Sequence, residues 1–262
     1  MKYLFIFSVS VLIMSCTNFE EKGILAFEEE DYASAEEYFL LGLKYDNRNV
    51  SYMYNLARSQ EKLEKYSEAI KNYSDALIWD NMLLDANLGR ARCFSKLENF
   101  KKANYDLKHY LEYRPKDLEA LILSGKCNMK LWEFEDALKD LTVARGMDEN
   151  NINVIYLLAV TEGRLGFYHT SESLFNKTIS LDPEMAQAYY GLATIMYMQK
   201  MYKEALSNYE IAENKGLEYS YMAVRKGLCY VNLNDLSSAC KQFSLLKDTK
   251  LKENLNVKYC KR

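Results

Sequence analysis

The chain has 262 residues, 49% of them apolar and 27% charged. That is enough chain for a sizeable core, with the balance of a globular and not a disordered protein. A formal charge of −3 excludes the basic footprint of general nucleic-acid binding. Two prolines and ten glycines leave so few breakers that helix is expected nearly throughout.

The first segment stands apart. Lys2 precedes the apolar run Tyr3–Met14. One basic residue followed by about a dozen apolar ones is a signal-peptide pattern, and the run is shorter than the roughly 20 residues of a spanning helix. It ends in Ile13-Met14-Ser15-Cys16, which resembles a bacterial lipobox. The resemblance implies cleavage after Ser15, so that residues 1–15 are a lipoprotein signal peptide and Cys16 carries diacylglycerol. A plain secretory signal with an incidental cysteine is the alternative. Acyl chains gain about 0.8 kcal/mol per buried methylene, so several would hold the protein on a membrane face without a spanning helix.

From Cys16 to residue 253 one 34-residue unit recurs seven times without a gap (16–49, 50–83, 84–117, 118–151, 152–185, 186–219 and 220–253). Position 8 is always small: Gly23, Ala57, Ala91, Gly125, Ala159, Ala193 and Gly227. Position 20 is Ala35, Ala69, Ala103, Ala137, Ser171, Ala205 and Ala239. Position 17 is aromatic in every repeat but the last, and position 24 is large and apolar in all. Small residues let two antiparallel helices approach, and the large ones fill the space around that contact. Pro115 and Pro183 both fall at position 32, where a proline ends one helix without disturbing the next. One such hairpin cannot bury its own apolar face, so neighbours must stack. Position 4 is less regular, with Asn87 and Ala223 departing from bulky apolar residues.

These residues resemble the tetratricopeptide repeat, with Tyr66-Ser67-Glu68-Ala69-Ile70 and Tyr202-Lys203-Glu204-Ala205-Leu206 as the start of a second helix and Leu181-Asp182-Pro183 as its end. The resemblance implies an all-α, right-handed superhelical solenoid of seven helix-turn-helix repeats that works as a protein-interaction scaffold. Residues 254–262 are expected to form a C-terminal cap, with Leu251, Leu255 and Tyr259 as its apolar stripe.

Cys93, Cys127 and Cys229 all occupy position 10 and are expected as small buried hydrophobes. They sit on different helices, and the chain has no close Cys-x-x-Cys pair, so no metal site is expected. An exported protein meets an oxidising compartment, and Cys240 and Cys260 are the expected disulfide; two separate buried thiols are the alternative. His109 and His169 lack nucleophile partners at a recognisable spacing. No phosphate loop, His-Glu metal motif or nucleophile elbow occurs. No catalysis and no cofactor are expected.

In the family the first helices line the concave face, and positions 2, 5, 9, 12 and 13 point into it. Carried over, positions 9 and 13 give a basic ladder of Arg58, Lys62, Arg92, Lys96, Lys126, Lys130 and Arg164. Glu61, Asp85 and Glu119 lie on the same helices as counter-charges. The later repeats offer Tyr156, Tyr190, Tyr197 and Tyr221 instead. The expected function is a scaffold or adaptor, lipid-anchored in the bacterial cell envelope on a periplasmic or surface face, that holds a protein or peptide partner, acidic or carboxylate-terminated. The alternative is a ligand-capture lipoprotein for anionic peptides or glycans.

Overall fold

A computed structural model describes residues 19–219 and 221–260. Among these are fifteen α-helices and no strand. The first helices of successive repeats are 19–28 (α1), Val50–Lys62 (α3), Leu84–Lys96 (α5), Leu118–Lys130 (α7), Ile152–Arg164 (α9), Ala186–Met198 (α11) and Met222–Asn232 (α13). The second helices are Tyr32–Tyr45 (α2), Tyr66–Trp79 (α4), Phe100–Tyr113 (α6), Phe134–Met147 (α8), Tyr168–Leu181 (α10), Tyr202–Asn214 (α12) and Leu236–Ser244 (α14). A last helix, Thr249–Tyr259 (α15), follows. Every complete first helix ends at position 13 of its repeat, and every second helix begins at position 17. Residues 1–15, expected to be a signal peptide, and Cys16 lie outside the described residues.

The chain divides into two compact blocks, one up to Trp132 and one from Glu133. In the N-terminal block consecutive helices from α2 to α7 pack on one another, and α3 and α7 each touch α5. First helices of neighbouring repeats therefore lie side by side and present a common face. In the C-terminal block α8 to α15 pack in order, and α9 touches α11.

The repeat phase explains the core. All residues at positions 8, 20 and 24 are buried, among them Ala57, Ala69 and Tyr73 at 0% exposure. A Cβ added at Gly23 would stand 2.6 Å from the Phe39 ring, so this hairpin closes only because position 8 has no side chain. Position 27 completes the set: Gly42, Ala76, Tyr110, Ala144, Thr178, Ala212 and Leu246 are all buried. The position-17 rings are half-buried. Cys93, Cys127 and Cys229 are buried free thiols. Burial pushes Cys93 up to about 12 and Cys229 up to about 11. Leu25, at the same position in repeat 1, is 53% exposed at the end of the stack. At position 4, Asn87 is buried with its Nδ2 unpaired among the described residues, and the small Ala223 is half-buried.

Each hairpin turn closes in the same way. Position 15 has positive φ in all seven repeats: Glu30, Glu64, Glu98, Trp132, Gly166, Lys200 and Asn234, with φ from 57° to 86°. Around it the Glu64 N–H donates to Glu61 O and the Lys65 N–H to Gln60 O, at 3.1 and 2.8 Å. This 5→2 and 6→1 pair is a Schellman C-cap, repeated at Glu30, Glu98, Gly166, Lys200 and Asn234. Helix starts are capped by side chains: Asn49, Asp117 and Asn151 accept from Tyr52, Ala120 and Val154 N–H at 3.1, 2.9 and 3.2 Å.

The C-terminal helix differs from the sequence expectation of 254–262. It begins at Thr249, because the Asp248 carboxylate accepts from Leu251 N–H at 3.0 Å and caps it there. The seventh second helix correspondingly stops at Ser244, well short of position 30. Leu251, Leu255 and Tyr259 are half-buried, and the Tyr259 ring lies 5.9 Å from Phe243. Cys240 and Cys260 are joined, with Cα atoms 5.8 Å apart, inside the range a disulfide spans.

Candidate partner-binding surfaces

In the N-terminal block the side-by-side first helices α3, α5 and α7 bound a cleft of about 830 Å³. Leu118, Ile122 and Leu123 supply its apolar surface; Lys62, Lys96 and Lys126 stand around it. All three lysines are exposed, and none forms an ion pair among the described residues. Arg92 behaves differently. Its Nε donates to Glu61 Oε1 at 2.5 Å and its Nη1 to Glu119 Oε1 at 3.1 Å. Tyr73, wholly buried beneath, donates its hydroxyl to Glu61 Oε2 at 2.7 Å. Burial works against the Arg92 charge, but the Glu61 hydrogen bond and charge, with Glu119, outweigh it and hold the guanidinium protonated above its ordinary range. Arg92 is thus a strut between three adjacent first helices, with little charge left to offer a ligand.

The other ladder members separate further. Arg58 lies 4.3 Å from the Phe27 ring and 5.6 Å from the Tyr54 ring, and donates to Asn55 Oδ1 at 3.1 Å. Stacking of this kind absorbs a guanidinium into the protein surface. Lys130, at the end of α7, is exposed and does not line the cleft. Arg164 belongs to the C-terminal block.

That block has its own pocket of about 510 Å³, lined chiefly by Tyr156, Tyr190, Tyr219 and Tyr221 with Arg164 and Arg225. Tyr190 meets Tyr219 edge-on at 4.8 Å and Tyr209 at 5.4 Å. Tyr156 packs edge-on against Phe175 at 6.1 Å; burial pushes its hydroxyl up to about 12. Tyr197 does not join them. It packs on Tyr202 at 5.5 Å with Arg225 at 5.9 Å. Tyr219 and Arg225 were not evident from the sequence pattern. Tyr219 lies in the junction before α13, where the helical phase that picks out inward positions does not run.

The tetratricopeptide repeat signature matches residues 21–87 and 156–218, in phase with the hairpins of both blocks. Both blocks carry tetratricopeptide repeats. A tetratricopeptide repeat protein from Parabacteroides merdae is 23% identical with a TM-score of 0.67, the match covering 92% of this chain and 97% of that one. YrrB, described as a tetratricopeptide protein with an unusual peptide-binding site, is 19% identical with a TM-score of 0.64, over 72% of this chain and 97% of its own. PilF of Pseudomonas aeruginosa is 15% identical with a TM-score of 0.62, over 80% and 97%. Among curated proteins no relative matches this sequence. Tetratricopeptide repeats build scaffolds that bind protein or peptide partners, and among the described residues no helix is long and apolar enough to cross a membrane.

Proposed function

We propose that this chain is a non-catalytic scaffold that holds an extended acidic peptide segment of a protein partner in the cleft of its N-terminal block, while a lipid on Cys16 anchors it in the bacterial cell envelope. The observation that carries the peptide reading is the arrangement of Lys62, Lys96 and Lys126 around the apolar surface of Leu118, Ile122 and Leu123. Apolar contact supplies affinity and mobile ammonium groups select carboxylates. YrrB, a relative in fold, carries a peptide-binding site by its description, which supports the same use here. The lipobox-like Ile13-Met14-Ser15-Cys16 carries the anchor reading.

The test follows from the distinct roles of the cations. Partner capture from membranes is compared for the native protein and for Lys62→Glu/Lys96→Glu/Lys126→Glu. Capture is expected to fall about tenfold or more, since each charge lost at a partly desolvated site removes on the order of 1 kcal/mol. Undiminished capture at low salt would sink the reading. Arg92 is left alone, because reversing it strands Glu61 and loosens the helices themselves. Labelling with a fatty-acid probe, against Cys16→Ala, tests the anchor separately.

A further inference from the structure

We infer that one edge of the N-terminal block lies in the headgroup layer of a lipid bilayer. The inference rests on the lipid-anchor reading of Cys16. The second helices α2, α4 and α6 all end at position 30, and their last residues are Tyr45, Trp79 and Tyr113. These rings are 57, 51 and 53% exposed, one on each successive hairpin. Ile78 and Met82 beside them are 75 and 51% exposed. Tyr and Trp are the side chains that collect at a membrane–water interface, apolar in body and polar at the tip. The cations fit: the Arg48 guanidinium lies 5.0 Å from the Trp79 ring, and Lys44 lies in the last turn of α2. Long basic side chains on such an edge can reach the phosphates while their stems stay among apolar groups.

The anchor's position chooses the occupant. The Phe19 ring stacks on Tyr45 with centroids 5.6 Å apart. Cys16 precedes Phe19 by three residues, a reach of at most about 11 Å. An acyl group on Cys16 would therefore leave the protein beside the first rung of the row. Tethering holds that edge at the bilayer at high effective concentration whether or not any protein is bound, which favours lipid over a protein partner as what covers it.

The two tryptophans make the test direct. Trp79 is on the row; Trp132 is at a hairpin turn, at the other end of a first helix about 20 Å long. The lipidated protein is purified and reconstituted into phosphatidylcholine vesicles whose acyl chains carry bromine near the headgroup. With Trp132→Phe as background, Trp79 emission should be largely quenched and blue-shifted. With Trp79→Phe as background, Trp132 emission should be unchanged. Equal quenching of both, or of neither, overturns the inference. So does a Trp79 blue shift that grows with protein concentration without vesicles, which would assign the row to a second copy. Tyr45→Glu/Tyr113→Glu should relieve the Trp79 quenching while the acyl group keeps the protein on the vesicles; persistent quenching counts against the row. Mass spectrometry of the same sample reads the anchor itself. If no diacylglycerol is found, the anchor reading fails on its own, and quenching of Trp79 by added vesicles still decides the edge.

Discussion

At the scale of single residues, the most informative position is 15. A residue with a Cβ in the left-handed region costs about 1–2 kcal/mol, yet only Gly166 among the seven turn residues is glycine. Glu98→Gly is expected to stabilise the fold by about 0.5–1 kcal/mol, less than the full relief because glycine also loosens the unfolded chain. Gly166→Ala should cost about 1–2 kcal/mol. Urea midpoints compare the two, and shifts in the same direction would refute the account. Position 15 escapes sequence reading because its residues, four of them charged, share no chemistry, only a backbone angle. Positions 8, 20 and 24 are legible because their constraint is volume, which side-chain size reports directly. The buried thiols and phenols make a second prediction. Cys93, Cys229 and Tyr156 are pushed up to about 12, 11 and 12 by burial, so the folded state keeps protons that the unfolded chain gives up at ordinary thiol and phenol values. Their contribution is complete below the unfolded values and is lost as pH rises through the folded ones. The thermal midpoint should fall between about pH 9 and about pH 12, and fall less steeply in Cys93→Ala/Cys229→Ala. Equal slopes would remove the thiols from the explanation.

At the scale of helices, the last repeat is the one that breaks rhythm. Its second helix is cut to Leu236–Ser244, and the space is taken by α15, which has no fully buried residue of its own. Such a helix depends on its tether. The Cys240–Cys260 link closes a separation of 20 residues, and a loop of that size is worth about 3 kcal/mol in the chain-entropy account. Reduction, or Cys260→Ser, should speed amide exchange in α14 and α15 while leaving α9 to α11 unaltered, because neighbours in a stack unfold locally. Unchanged exchange in α15 would show that packing alone holds it. The sequence pattern could place both cysteines and the stripe of Leu251, Leu255 and Tyr259. It could not place the helix start, which is decided by the Asp248 cap and not by periodicity.

At the scale of the whole molecule, the repeat phase made the helices and the inward face legible, but not which inward charges are available. Arg92 reads as one rung among seven. It is spent on Glu61 and Glu119, 31 residues before it and 27 after it, contacts that exist only once neighbouring first helices lie side by side. Arg58 is likewise absorbed by Phe27. What remains for a partner is the lysines, and their number around the cleft is set by how many repeats carry them.

The left-handed turns have a consequence in genetic terms. Any glutamate codon becomes a glycine codon by one base change, so Glu30, Glu64 and Glu98 each lie a single transition from a relaxed turn. The reserve of stability is therefore within immediate mutational reach three times over. A chain that keeps such steps untaken has stability to spare for its work, and a laboratory selection for heat resistance should find these three codons early.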